Sequence, residues 1–330
     1  MREFTLDDLL PHLLYSFKTE HEIIKSIQEV SDAFTINRHL IGEYLKNPRL
    51  ISAYTLFYLA TNIPKLQSVI NVLGADFKDY HLIDIGAGPG TFSLAWMNLF
   101  GGSVLTQIET SSLMKEQSMK LLKAFYPHLK IETNFNETIK SLMLFGHSLN
   151  EMGAEQGLKY VLKGKPEKVL LIEPGTKESF RIGLDFREQM LKNGYVISYP
   201  CQNQNSCGLK NQTDNWCHQI VDVKHHPSIE RITQIAKKDR RRLPLIIQLY
   251  EKTSTKKSET ILFRVLKETK HSFEWEVCQE NKIEKWQIEK KDLTKEEQKS
   301  LSLFNPGQKL TGVTVKEMDS LKRVRLVNKI

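Results

Sequence analysis

The sequence predicts an α/β protein built on a parallel sheet with helices on both faces. Two observations carry this. From residue 80 onward, short apolar runs alternate with helical stretches, the pattern of strands joined by crossover helices. A glycine-rich turn, Gly86-Ala-Gly88-Pro-Gly90, closes the first of those strands and opens a helix. A third observation marks what has been added to the sheet. The chain has four cysteines, and all of them fall after residue 200.

Residues 1–78 read as a helical region. Segments 6–17, 22–34 and 50–73 have helical apolar spacing, with Pro11 and Pro64 punctuating them. They are expected to cap the sheet and wall a cofactor pocket, with Tyr54 as a contact to cofactor or RNA. Residues 79–250 form the expected sheet domain. Strands fall at YHLIDIG, VLTQIE, HLKIETN, SLMLFG and KVLLIEPG, and helices at TFSLAWMNLF, SSLMKEQSMKLLKAF and KESFRIGLDFREQMLKNG. Residues 195–199 and 244–250 read as strands six and seven, which makes 200–218 an insertion between them. Residues 251–330 form a basic, β-rich extension. In it FEWEVC and IEKWQIEK read as a hairpin turning at ENK.

The glycine turn carries chemistry. Glycines let backbone approach a ligand closely and leave amide groups unobstructed. Asp84 precedes the turn, and Glu109 stands at the end of the next strand, where a carboxylate can accept from both hydroxyls of a ribose. The dinucleotide fingerprint would need a glycine at 91, where Thr91 stands. Asp84, Gly86, Gly88, Gly90 and Glu109 together resemble motifs I and II of class I S-adenosylmethionine (SAM) methyltransferases. That implies a Rossmann-like methyltransferase sheet with SAM as cofactor, or the same fold kept as a scaffold around a vestigial pocket.

Three cysteines, Cys201, Cys207 and Cys217, sit in a polar stretch of 17 residues, and Cys278 follows after 60 more. Cysteines in a Gln/Asn-rich loop point to thiolate ligands, and so to one four-thiolate metal site, iron–sulfur or zinc. The intervals do not choose between the two metals. Cys278 in FEWEVC also suits a small buried hydrophobe. Disulfides would need an oxidising compartment, and the N-terminus shows no charged-then-apolar signal pattern.

Charge is uneven. Residues 1–200 carry 21 Lys/Arg against 22 Asp/Glu, and residues 201–330 carry 26 against 17. Lys237, Lys238, Arg240, Arg241 and Arg242 form the densest run, a candidate RNA-binding patch apart from the cofactor half. No apolar run reaches the 18 residues a membrane helix needs. The acidic start is unlike a transit peptide. A monomer of the cytoplasm is expected, with the mitochondrial matrix as the alternative.

Several segments together resemble one family: IDIGAGPGTFSLAW, IETSSLM, FGHSLNEMG, LLIEPGTKESF, YPC and NWCHQ. It is the mitochondrial small-ribosomal-subunit assembly family of methyltransferase-like proteins, with its bacterial relatives. The resemblance covers most of residues 80–250. It implies a 4Fe–4S cluster on Cys201, Cys207, Cys217 and Cys278, and small-subunit rRNA, or a precursor of that subunit, as partner. Where the family continues WCHF into an Arg-rich stretch, this chain reads WCHQIVDVKHH. Enzymes that methylate exocyclic amines place Asn/Asp-Pro-Pro-aromatic after the fourth strand, whereas this chain has Gly146-His147-Ser148-Leu149-Asn150-Glu151. Asn150 and Glu151 read as polar groups near a substrate or as the start of the next helix. The Pro200-Cys201 step matches that of 5-methylcytosine enzymes in letters, but it opens the cysteine cluster. The expected function is an rRNA-binding assembly factor that binds SAM. The alternatives are an active rRNA methyltransferase and, less favoured by the basic C-terminal third, a small-molecule methyltransferase.

Overall fold

A computed structural model describes residues 2–35, 46–136, 140–201, 204–253, 260–318 and 321–326. The chain divides into two compact units, one of residues 1–148, 163–166 and 222–243, the other of 149–162, 167–221 and 244–330.

The first unit opens with helices. In α1 (Leu6–Leu9), Thr5 and Asp8 cap each other reciprocally. The expected helix over 6–17 ends early, in a 3-10 turn at Leu10–His12 that Pro11 begins. Helix α2 spans Glu20–Thr35. In α3 (Pro48–Tyr54), the Asn47 side chain accepts from the amides of Arg49 and Leu50. A π-helical turn, Thr55–Leu59, leads directly into α4 (Ala60–Leu73). Pro64 therefore lies inside a helix instead of ending one. The widened turn just before it gives the ring room that a regular helix would deny. Gly74, in the left-handed region, ends the run.

Strands β1 (His81–Ile85), β2 (Val104–Ile108), β3 (Lys130–Glu132) and β4 (Ser141–Gly146) follow, with α5 (Thr91–Phe100) and α6 (Ser112–Phe125) as crossovers. Their order is β3-β2-β1-β4 and every pairing is parallel. β1 and β4 are buried almost end to end, as a sheet covered on both faces requires.

The second unit begins with α7 (Leu149–Met152) and α8 (Ala154–Gly164), then β5 (Lys168–Pro174) and α9 (Lys177–Lys192). β6 (Val196–Tyr199) and β8 (Arg242–Glu251) are the expected strands six and seven. β8 runs antiparallel to both β5 and β6. The segment between β6 and β8 exceeds the 200–218 insertion read from the sequence. It also holds β7 (Gln219–Asp222), paired to β8, and, within the first unit, a helix Pro227–Ile235. That helix is amphipathic, and the His226 side chain caps it.

The extension is a six-stranded sheet. Strands β9 (Thr260–Glu268), β10 (Ser272–Gln279) and β11 (Lys282–Glu289) form a meander. Helix α10 (Lys295–Leu301), β12 (Lys309–Leu310), β13 (Gly312–Met318) and β14 (Leu321–Leu326) follow. The hairpin expected at ENK is present. Glu280 and Asn281 both have positive φ, and Gln279 pairs with Lys282, a two-residue turn of the type that matches strand twist. β14 lies parallel to β11 and antiparallel to β13, while β12 pairs with β9. β12 and β13 are the two ends of this sheet. Its buried core holds Phe273, Trp275, Trp286, Ile288, Leu301 and Val324.

Trp286→Ala is expected to cost about 3–5 kcal/mol, the usual range for removing a buried aromatic. Amide hydrogen exchange should show protection lost across 260–326 and retained in β1 and β4. Uniform loss along the chain would contradict an extension with its own core.

Candidate functional site

The glycine turn projects from the end of β1. Gly86, Gly88 and Gly90 have φ of 67°, 54° and 88°, which side-chain-bearing residues rarely adopt. Gly88 faces open space where a Cβ would stand, whereas a Cβ at Gly90 would press on Ser118. Gly88 therefore offers the cradle, and Gly90 allows the helices to approach.

Glu109 reaches back to this turn. Its Oε2 accepts from the Gly88 amide at 2.8 Å, and its Oε1 accepts from Thr110 and Ser111 at 2.7 and 2.8 Å. A carboxylate has about four acceptor positions, so three backbone amides leave it room for about one more donor. Both ribose hydroxyls can bind it only if an amide gives way.

Asp84 departs from expectation. Its carboxyl does not line the turn but lies fully buried beneath it, accepting from Ser93 Oγ at 2.7 Å. Gln107 in turn donates to Ser93 and Ser118, which knits β1, β2, α5 and α6 together. Burial is the main cause that pushes Asp84 up to about 7. Tyr54 ends α3 with its ring 5.0 Å from that of Tyr58. Asn150 and Glu151 are simply in α7, the helix after β4.

The second unit assembles the cysteines. Cys201, Cys207, Cys217 and Cys278 line one cavity, together with Phe180, Arg187 and Ile247 among others. Burial and then the neighbouring thiols push Cys217 well above the ordinary thiol range and Cys278 up to about 12. Cys201 lines this cavity beside the other three thiols. Among the described residues no group of three or more His, Cys, Asp or Glu is placed to hold one metal ion. His218 Nδ1, beside Cys217, is buried with no hydrogen-bond partner.

Residues not singled out from the sequence build this cavity. Arg187 on α9 is 1 % exposed. It hydrogen-bonds Cys201, donates to the Asn205 carbonyl at 2.7 Å and pairs with Glu188 at 3.0 Å. Arg181 donates to the carbonyls of Leu209, Lys210, Gln212 and Asn215. Asn281 donates to the carbonyls of Asn205 and Ser206. A Cβ on Gly208 would run into the Asn281 carbonyl. A legible signal existed for one of these. Phe180, Leu184, Arg187 and Leu191 share helical apolar spacing, so Arg187 occupies a position meant for burial.

The basic run is not one patch, and it does not lie apart from the glycine turn, because residues 222–243 belong to the first unit. Arg240 is half-buried with its guanidinium 5.2 Å from the Tyr58 ring. Arg241 is tied to Asp239 at 2.8 Å. Lys237 and Arg242 are exposed, and Lys238 is half-buried.

A family model described as mitochondrial small ribosomal subunit Rsm22 matches residues 50–303. No curated protein matches. Similar solved structures include methyltransferases. TYW2 of M. jannaschii in complex with AdoMet is 9% identical, covering 58% of this chain and 77% of that one at a TM-score of 0.34. Geranyl diphosphate C-methyltransferase of Streptomyces coelicolor A3(2) is 12% identical, over 57% and 79%, at 0.35. Magnesium protoporphyrin IX methyltransferase of Synechocystis PCC 6803 with bound SAM is 12% identical, over 58% and 80%, at 0.37.

Asp84 sets a pH dependence. Folded, it keeps its proton to about pH 7; unfolded, it loses it near 3.8. Between those values the folded state binds the extra proton, so stability falls as pH rises through this window, by about 4 kcal/mol at most, and then levels off. Thermal melts from pH 5 to 8 should show this decline, and Asp84→Asn should flatten it. An unchanged slope in the variant would assign the dependence to other groups.

Proposed function

The chain belongs to the Rsm22 family of the mitochondrial small ribosomal subunit, and on that premise we propose that it is a SAM-binding, iron–sulfur-containing assembly factor that binds the rRNA of that subunit. One observation carries the reading: the four thiols, drawn from segments 60 residues apart, meet around one cavity while the glycine turn and Glu109 meet in the other unit. The family description also favours the mitochondrial matrix, the alternative named from the sequence.

SAM fits the turn in the first unit. Gly88 gives it backbone clearance, and Glu109 holds a remaining acceptor for a ribose hydroxyl. When bound, SAM supplies an electrophilic methyl group. The chain's part is to hold the nucleoside and keep the turn in register.

Four thiols on one cavity are the number that a 4Fe–4S cluster takes, one for each iron. Cys201, Cys207, Cys217 and Cys278 would be the ligands. The cluster would supply a cross-link between the loop after β6 and the β10–β11 hairpin. Arg187 offsets part of the thiolate charge, which an apolar cavity cannot hold alone.

RNA binding is supported by exposed cations on the C-terminal sheet, including Lys267, Lys270, Lys282, Lys285, Lys316 and Arg325. Trp275 and Trp286 are buried and offer no stacking shelf. The contact is therefore electrostatic, to phosphate, and falls with salt.

Protein purified without oxygen should be brown and hold iron. Each Cys→Ser variant should lose it; Arg187→Gln should lose most of it, and Arg187→Lys should keep it. Stoichiometric zinc with no iron would sink the cluster assignment. Affinity capture from cells should enrich precursors of the small subunit over the large one, and equal recovery would count against the assembly role. Lys237→Gln with Lys238→Gln should weaken RNA binding and flatten its salt slope by about one unit per lost phosphate contact, while Arg241→Gln, already paired to Asp239, should change little.

A further inference from the structure

The helix before β1 presents a polar stripe that the glycine turn does not use. Tyr58, Asn62 and Lys65 stand at i, i+4 and i+7 and so share one face. Lys65 is 1 % exposed, and its ammonium donates to His147 Nε2 at 2.6 Å. His147 directly follows β4, beside the glycine turn. Its φ of 62° is unusual for a residue with a side chain, and Ser148 Oγ anchors the bend by donating to the Ile85 carbonyl at 2.6 Å. Arg240 lies over Tyr58 on the same side. His225 Nε2 donates to the Thr61 carbonyl at 3.1 Å. Burial, then Lys65 and Arg240, keep His147 in its neutral form.

Two buried acceptors in this cluster have no hydrogen-bond partner: Asn62 Oδ1, on a residue 6 % exposed, and His225 Nδ1. Orphaned buried polar atoms are few in folded proteins and call for an explanation. The π-helical turn at Thr55–Leu59 contains Tyr58, the first residue of the stripe, and such turns often mark functional sites.

The chemistry specifies a ligand. Two orphan acceptors need N–H donors. Lys65 and Arg240 favour a ligand that also carries acceptors or negative charge. The Tyr58 ring and the Arg240 guanidinium, packed on each other, bring flat groups to this face. A nucleotide whose base bears an exocyclic amine, adenine or cytosine, has all of these. We propose that this face binds one amino-bearing nucleotide of an RNA strand, with Asn62 Oδ1 and His225 Nδ1 accepting from its N–H groups. The amide and aromatic groups that amine-methylating enzymes carry after the fourth strand are here supplied by the helix before the first. The inference builds on the RNA reading above and names the residues that touch the base.

The test is NMR titration of the full chain, saturated with S-adenosylhomocysteine, against two matched pairs. Cytidine monophosphate is compared with uridine monophosphate, and adenosine monophosphate with inosine monophosphate. Wild type should prefer the amine-bearing member of at least one pair by about tenfold. Asn62→Leu should abolish that preference, leave S-adenosylhomocysteine affinity within about twofold and raise Tm, because an orphan acceptor is removed. Asn62→Ala serves as the second variant should leucine overfill the site. No preference in wild type, or a preference that survives both variants, overturns the proposal. Loss of S-adenosylhomocysteine binding in the variants also overturns it, by giving the face to the amino-acid end of the cofactor. Small-subunit capture reads out separately. If capture fails while the Asn62-dependent preference holds, the assembly role falls and the pocket stands.

Discussion

A loop without a β ladder must find partners for its carbonyls elsewhere, and this constraint shapes the second unit. Among the described residues between Cys201 and Cys217 there is no regular structure beyond turns. Its carbonyls are met by two guanidinium groups from a single helix, Arg181 and Arg187 of α9. Buried backbone acceptors left alone would be costly, and a helix packed on a sheet is a rigid place from which to satisfy them. Asn281 adds the second tether by joining the same loop to the turn that follows Cys278. The thiols therefore have a frame made of protein, on which a cluster would be an addition and not the nucleus.

The first unit follows a different logic. Its hydrogen-bond network runs inward from the glycine turn through Asp84, Ser93, Gln107 and Ser118. Each member of this net touches a different strand or helix, so the turn's shape is inherited from the sheet. It also carries polar groups that folding alone does not reward: a carboxyl buried beneath the turn and two orphan acceptors near His147. Stability given up at such positions is a common mark of sites shaped for a ligand.

Much of this was legible in the letters. The strand–helix alternation is a matter of period, and period survives folding. The cysteines could be grouped because a polar loop gives them no other use. The misreadings share one cause, which is that a linear pattern does not say which way a residue faces. Asp84 lies between Ile83 and Ile85 on a strand buried on both faces, so its carboxyl is drawn under the turn and not into the pocket. In KKDRRR the embedded Asp239 takes one arginine and an aromatic pair takes another, and counting charge along the chain records neither.

β13 has a consequence of another kind. All its residues after Gly312 are exposed, Val313 and Val315 among them at 59% and 57%, and among the described residues it pairs along one side only, with β14. A free strand margin that carries valines is a template on which another extended chain can zip. The charges of Lys316 and Glu317 interrupt it, as gatekeepers do in proteins that must stay dispersed. Handling this protein at high concentration is thus a contest between two valines and two charges on one short strand, and neutralising that pair would turn a dispersed protein into a sticky one with no change to its core.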